Sequence, residues 1–198
     1  MWEIEAWKSV LTEPDRVFAE QKAKASTKTA LVWVSLIGAL SYATIGLINT
    51  DITMAVGLAV FGLIFSPILF LLSSGTVFLF AKLLGGNGAF REQAYLTAVA
   101  AVPVGFFSIL LTLFTRVPLV NIVVLLVMFA MLGYSGYLQV KIFKFVHGLS
   151  ASRALLALFL PAIILFVILV IIIIVFAATA YSSFGSALGG AMPTIPAP

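Results

Sequence analysis

The chain has 198 residues, of which 63% are hydrophobic and 9% are charged, and its formal net charge is +4. Soluble domains carry about 25% charged residues, so a water-exposed surface cannot be built from this composition, and we expect an integral membrane protein of one domain. The chain has no cysteine, which excludes disulfides and thiolate or iron–sulfur chemistry. The basic excess fits the orientation of a membrane protein better than nucleic-acid binding.

The N-terminal tail, residues 1–28, is predicted to be cytoplasmic and amphipathic. The stretch "WEIEAWKSVL" places Trp7 and Val10 on one helical face, which is typical of a helix that lies on a membrane surface. The alternative is a flexible or partly helical tail. In "TEPD", Thr12 is expected to cap a second helix that has Pro14 in its first turn. Because the tail has no early apolar core, we expect no cleavable signal peptide.

Five apolar stretches follow the tail, and each is long enough for a membrane crossing, which needs about 20 residues. They cover approximately residues 29–48, 54–84, 94–114, 117–140 and 154–180. Backbone polar groups in lipid must be satisfied within the segment, so all five are predicted to be helices. The predicted fold class is therefore all-α, a polytopic bundle of five transmembrane helices with an N-terminal interfacial helix. Residues 181–198 are expected to form a flexible extracytoplasmic tail rich in Gly, Ser and Pro.

The second stretch has two interpretations, a single long crossing or a re-entrant hairpin of two half-helices. As one helix of about 31 residues it would be roughly 46 Å long against a hydrocarbon core of about 30 Å, and Pro67 lies near its middle. A single crossing places every Lys and Arg except Arg116 on one side, whereas a hairpin divides them almost evenly. The positive-inside rule favours the single crossing. We therefore expect a cytoplasmic N-terminus and an extracytoplasmic C-terminus, in the plasma membrane if the protein is prokaryotic.

Several residues in the N-terminal tail and near the ends of the spans are candidate interfacial anchors. Tryptophan rings and long basic side chains favour the headgroup region of a bilayer. The candidates are Trp2, Trp7, Lys82, Lys141 and Lys144. Lys141 and Lys144 follow the fourth span, where cations suit the helix dipole. Gly148 is the expected cap of that helix.

Three spans contain an internal proline, at Pro67, Pro103 and Pro161. A proline kinks a helix and frees a backbone carbonyl. These residues are candidate hinges, or positions where freed carbonyls line a cavity as in broken-helix transporters. The alternative is a static kink that shapes the bundle.

Small residues repeat along one face of the third span. Ala94, Ala98, Ala101 and Gly105 are spaced by four, three and four residues. Helices in lipid associate through close contact of such side chains, so the third span is predicted to be the central helix.

The spans carry little machinery for chemistry, since no ionisable residue lies at mid-span, where such residues are usually functional. The serine and threonine hydroxyls there, such as those of Ser73 and Thr97, are interpreted as bonded back to their own helix. His147 is the single histidine, and it lacks the partners that a zinc site or a serine nucleophile requires. We interpret His147 as a loop residue and expect no catalytic, metal or cofactor site.

The stretch "KLLGGNGAFREQAYL" between the second and third spans is glycine-rich but is not a phosphate-binding loop, which needs Lys and Ser or Thr after its last glycine. Asn87-Gly88 is a turn signal, so a chain reversal at the cytoplasmic interface is predicted. Lys82 and Arg91 are expected to hold this reversal on the anionic leaflet.

The segments "WKSVLTEPDRVF", "KLLGGNGAFREQAYL", "AVAAVP" and "HGLSASRALLALFLP" together resemble the YIP (Ypt-interacting protein) family over nearly the whole chain. The family residues that carry over are Gly85, Gly86, Phe90, Arg91, Tyr95 and Pro103. The resemblance implies a five-span domain with a cytoplasmic N-terminus and, by analogy with eukaryotic relatives, a small GTPase of the prenylated Rab type as partner in vesicle traffic. This chain lacks the Asp-Leu-Tyr-Gly-Pro element of eukaryotic members and is similar to a compact prokaryotic-type member.

Two functional hypotheses follow. The first is a non-enzymatic membrane protein of YIP type, an interaction or membrane-organisation factor whose partners are the lipid bilayer and another membrane protein or a small GTPase, and not nucleic acid. The alternative is a transporter, channel or lipid-moving protein for a neutral or lipid-like substrate, motivated by the three prolines and the small-residue helix. An intramembrane enzyme is a distant third.

Overall fold

The computed structural model describes residues 4–49 and 51–189, which form seven α-helices and no strand. Five of these helices, α3 to α7, are long and apolar enough to cross a membrane. The predicted all-α, five-span class is therefore confirmed. The helices are α1 (Ile4–Thr12), α2 (Pro14–Lys22), α3 (Thr27–Ile48), α4 (Ile52–Leu83), α5 (Phe90–Leu113), α6 (Val120–His147) and α7 (Ala151–Gly189).

Local sequence sets several helix ends. The Asp51 carboxylate accepts a hydrogen bond of 2.9 Å from the backbone N–H of Met54 and caps α4. Gly148 ends α6 in the left-handed conformation, with φ of 67°, which confirms its predicted role as a cap. Asp51 provides an acceptor for a backbone N–H that has no partner within its helix, and Gly148 allows the chain to turn where α6 ends.

The predicted capping of the second helix by Thr12 is wrong. Thr12 is the last residue of α1, and its hydroxyl donates to the carbonyl of Lys8 at 3.2 Å. Glu13 takes the N-cap position of α2, without a side-chain capping bond, and Pro14 is the first helical residue. Because only one residue separates the two helices, the Thr12 side chain is held by the helix that precedes it.

The second apolar stretch forms one continuous helix, α4, of 32 residues that contains Pro67. A continuous helix is what a single crossing requires, and it is incompatible with a re-entrant hairpin of two half-helices. Pro103 and Pro161 also lie inside continuous helices, α5 and α7. At about 1.5 Å per residue α4 is roughly 48 Å long, so it needs a tilt, or ends outside the hydrocarbon, to fit a core of about 30 Å.

The chain divides into two compact units, Met1–Leu158 and Phe159–Pro198. The first unit holds α1 to α6 and the first turns of α7. The described part of the second unit is the remainder of α7. The candidate sites below lie entirely within the first unit.

Helix α5 is the centre of the first unit, in contact with α1, α2, α3, α4 and α6. Ala94 and Ala98 on its small-residue face are fully buried. The alanine spacing therefore predicts the central helix correctly, because small side chains let several neighbours approach its backbone.

Helices α3 and α4 form the most extensive helix pair of the unit, and glycine residues make their contact close. A methyl group built on Gly38 would overlap the Ser66 side chain, and one built on Gly62 would overlap the backbone of Gly38. This pair is apolar and held by shape, as is usual for helices that associate in lipid.

Candidate functional site at the charged end of the bundle

Charged side chains gather where α2, the loop of residues 84–89 and the connection of residues 148–150 meet, and we call this region the charged end. Its exposed basic residues include Lys82, Arg91, Lys144 and Arg153. The opposite end of the described spans carries Asp51 and Arg116, whose guanidinium donates to the Asn49 side chain. The charge is therefore strongly asymmetric along the bundle.

The loop of residues 84–89 is closely packed against the end of α6. The backbone N–H of Asn87 donates to the carbonyl of His147 at 3.1 Å, and that of Gly86 donates to the carbonyl of Ala81 at 2.9 Å. A methyl group on Gly86 would lie 2.9 Å from both Cβ and Nδ1 of His147. Gly85 has a φ of 92°, which glycine adopts readily. The loop is thus the chain reversal that its sequence predicts.

A buried polar network joins three spans just beneath this loop. His147 Nε2 lies 2.8 Å from Gln93 Oε1, and Gln93 Nε2 donates to the carbonyl of Ser74 at 3.0 Å. His147 and Gln93 are 2% and 1% exposed. Because a carboxamide oxygen only accepts, His147 Nε2 is the donor of the first bond. The network connects α6 to α5 and α5 to α4.

The interpretation of His147 as a loop residue is wrong, since it is the last residue of α6 and is buried. The rings of Phe78 and Phe143 lie with their centroids 5.7 and 6.2 Å from the imidazole. Its Nδ1 atom has no hydrogen-bond partner within residues 4–49 and 51–189. No sequence signal links His147 to Gln93, which lies 54 positions earlier.

The amphipathic tail docks on the protein through α1 and α2. Val10, Val17 and Phe18 are buried in the core cluster that also contains Val99 and Leu138. Burial of an apolar side chain of this size contributes about 1.5–3 kcal/mol relative to exposure in water. The sequence suggested that the helical face containing Val10 would contact the membrane surface. In the structure Val10 contacts protein.

Polar contacts fix the register of the docked tail. Lys141 Nζ lies 2.6 Å from the Asp15 carboxylate, and Lys22 Nζ lies 3.3 Å from that of Glu92. Both pairs are partly exposed, and such pairs contribute about 0–1 kcal/mol, so apolar burial dominates the docking.

Two tyrosine hydroxyls complete the attachment. The Tyr134 hydroxyl donates to the carbonyl of Leu11 at 2.6 Å, and the Tyr95 hydroxyl donates to Gln21 Oε1 at 3.1 Å. The first of these bonds holds α1 against α6, and the second holds α2 against α5.

The candidate anchor residues occupy different environments. Lys141 pairs with Asp15 and also lies over the Tyr137 ring, 5.2 Å from its centroid. Lys82 is exposed with Nζ 5.5 Å from the Phe78 centroid, and Lys144 is exposed. Trp2 and the side chain of Trp7 lie outside the described part of the chain, so their predicted anchoring stays a prediction.

The residues of the family motif are not gathered in one pocket. Gly85 and Gly86 form the loop, and Phe90 packs edge-on against Phe78 with centroids 5.4 Å apart. Tyr95 and Pro103 are buried in α5, whereas Arg91 is exposed. Gly85, Gly86 and Phe90 therefore help to build the charged end, where Gly85 and Arg91 are exposed to a partner or to lipid.

A cavity of about 180 Å³ lies among α4, α5, α6 and the start of α7. Its polar lining comes from three helices and comprises Ser73, Ser74, Gln93, Thr97 and Gln139. The Thr97 hydroxyl donates to Gln139 Oε1 at 3.2 Å. The expected bond from Thr97 back to its own helix is therefore replaced by a bond to α6. Ser73 does bond back as expected, to the carbonyl of Phe70 at 3.1 Å.

Five apolar helices, a charged end and a docked amphipathic tail define a multi-pass integral membrane protein in contact with the lipid bilayer. The family model of the Yip1 domain matches residues 8–174, which is most of the chain. The protein therefore belongs to the Yip1 domain family, and the resemblance to the YIP family is confirmed. No curated protein and no solved structure gives a match to the chain.

Proposed function

We propose that this YIP-type protein is a non-enzymatic interaction or membrane-organisation factor whose working surface is the charged end. The carrying observation is the concentration of exposed basic side chains at Lys82, Arg91, Lys144 and Arg153, beside the docked tail. Such a surface suits an acidic partner surface or the anionic cytoplasmic leaflet. In this proposal the charged end faces the cytoplasm, in the plasma membrane if the protein is prokaryotic. The partner is another membrane protein or, by family analogy, a small GTPase.

The family residues support this proposal by their placement. Gly85, Gly86 and Tyr95 hold the loop and the tail in position, and Arg91 extends outward from the first turn of α5. Within the described residues no group of three or more His, Cys, Asp or Glu side chains could hold a metal ion.

The experiment compares charge reversal at the two ends of the bundle. The full-length protein in mild detergent is used to capture partners from membranes of its own cells, with quantification by mass spectrometry. Lys144→Glu and Arg91→Glu should each abolish the enrichment of a specific partner, whereas Arg116→Glu at the opposite end should retain it. Equal recovery with all three variants would contradict the proposal, as would a partner lost only with Arg116→Glu.

A second candidate function, movement of a neutral or lipid-like substrate, is favoured by the polar-lined cavity. The three proline positions are its candidate hinges. Liposome flux and lipid-scrambling assays on wild-type and Pro103→Ala protein test it. Flux that falls in the variant supports the candidate, and no flux from monodisperse reconstituted protein removes it.

A further inference from the structure

The cavity among α4, α5, α6 and α7 is lined by polar side chains from three helices. Gln139 Oε1 accepts from the Thr97 hydroxyl, and the Gln139 carboxamide is part of the lining. The Ser74 side chain also lines the cavity, while its carbonyl accepts from Gln93. Polar groups are costly to leave against hydrocarbon alone, so a polar lining at membrane depth favours an occupant that can form hydrogen bonds.

The depth of the cavity indicates which part of a bilayer it meets. Lys82, Glu92 and Lys141 mark the charged layer on α4, α5 and α6. At about 1.5 Å per residue, Gln139 lies about 3 Å deeper than Lys141, and Thr97 lies about 7 Å deeper than Glu92. The headgroup and interfacial region of each leaflet is roughly 5–8 Å thick, so the cavity begins at the level of the lipid glycerol and ester groups.

The lining also defines the chemistry of the occupant. Among the described residues no Asp, Glu, Lys, Arg or His side chain lines the cavity, so a charged group has no counter-ion from them there. The walls are completed by Phe70, Val77, Phe143 and Leu158, which suit hydrocarbon. The volume of about 180 Å³ is well above the roughly 10–15 Å³ that a single water needs, so a larger group can enter.

A molecule can enter the cavity from the surroundings past residues of the first unit. Ser73 is exposed, and Thr97 and Gln139 are half-buried, whereas Gln93 is held at the back by His147. A molecule can therefore reach the donors without the His147–Gln93 network being broken.

We propose that this cavity binds the glycerol–ester region of a neutral glycerolipid, with an ester carbonyl or the free hydroxyl accepting from Gln139 Nε2 and the first acyl carbons against Phe70 and Phe143. The inference goes beyond the interaction function, because it assigns a lipid ligand to residues that the charged-end proposal does not use. It is also separate from lipid movement, since occupancy and flux are measured independently.

The test uses the full-length protein in phosphatidylcholine nanodiscs that contain a diacylglycerol with a diazirine close to its ester and an alkyne for detection. Irradiation should label peptides that contain residues 70–77 or 139–143, and excess dioctanoylglycerol should suppress the label. Gln139→Leu and Thr97→Val should each reduce labelling about two- to tenfold, the range expected for one lost hydrogen bond. Ser135→Ala is the matched control, because Ser135 lies one turn away on α6 and lines a different cavity.

Each outcome decides the proposal. Suppression by a short-chain phosphatidylcholine as strong as that by dioctanoylglycerol overturns the assignment to a neutral glycerolipid. Suppression by free glycerol alone overturns the lipid assignment. Labelling that is unchanged in both cavity variants, or that falls equally in Ser135→Ala, overturns the site. Size-exclusion profiles identify a variant that fails to fold, and Thr97→Val then serves as the independent test because valine is nearly isosteric with threonine.

Discussion

Two groups of helices in this protein are held together by different kinds of contact. One group is α3 and α4, and the other is α4, α5 and α6. The first relies on Gly38 and Gly62, which let two apolar helices touch through their backbones. The second relies on Gln93, which bonds to His147 and to the carbonyl of Ser74. Apolar burial alone distinguishes poorly between protein and lipid, so helices need close shape or buried hydrogen bonds to associate. The pair of α3 and α4 is therefore held by close packing, whereas the helices beside the charged end are held by buried hydrogen bonds.

The largest loss of stability is expected when a larger side chain is introduced at the close contact between α3 and α4. Gly62→Val should destabilise the protein by at least about 3 kcal/mol, the upper end of the cost of overpacking, because the atoms in its way belong to the backbone of Gly38. Unfolding by detergent titration, followed by tryptophan fluorescence, measures the change. Gly57→Val is the control on the same helix, where a methyl group meets nothing within 4 Å, and it should change stability by no more than about 0.5 kcal/mol. Similar losses in both variants would show that shape does not hold this pair.

An intermediate effect is expected in the polar contact. Gln93→Leu leaves the His147 donor buried without its acceptor and should cost about 1–3 kcal/mol. The same unfolding titration measures the loss. A Gln93→Leu/His147→Leu double variant should be less destabilised than the sum of the single variants, because removing both partners leaves no unsatisfied group. Strict additivity would contradict the direct bond.

The smallest effect is expected at the exposed ion pair that positions the tail. Asp15→Asn should weaken tail docking by about 0–1 kcal/mol, seen as faster proteolysis between α2 and α3, and the difference from wild type should shrink at high salt. Glu20→Gln is the control, because its partner, Arg16, lies on the same helix. A salt-independent effect of Asp15→Asn would mean that the pair does not act through charge.

The sequence predicts the five spans well because apolar length is a local property that the bilayer imposes on each segment. The glycine loop and the cap at Gly148 are predicted for the same reason, since turn geometry depends on a few adjacent residues. The central position of α5 follows from its alanine spacing, because a small-residue face favours close neighbours in lipid.

The parts that the sequence does not predict depend on residues far apart in the chain. Thr97 and Gln139 lie 42 positions apart, and each alone resembles a polar residue bonded to its own helix. The tail shows a different limit, because an amphipathic face has the same pattern whether its apolar side meets lipid or protein. Only the structure, in which Val10 is buried, shows that this apolar face contacts protein.

The docked tail has a consequence for the order in which the protein is made. Its contacts join Leu11 to Tyr134 and Asp15 to Lys141, which are 123 and 126 positions apart. The tail therefore receives its contacts with α6 only after α6 has been synthesised. Until then the apolar side chains of Val10, Val17 and Phe18 lack the part of their core that α6 supplies, so α1 and α2 complete their docking only after α6 has been made.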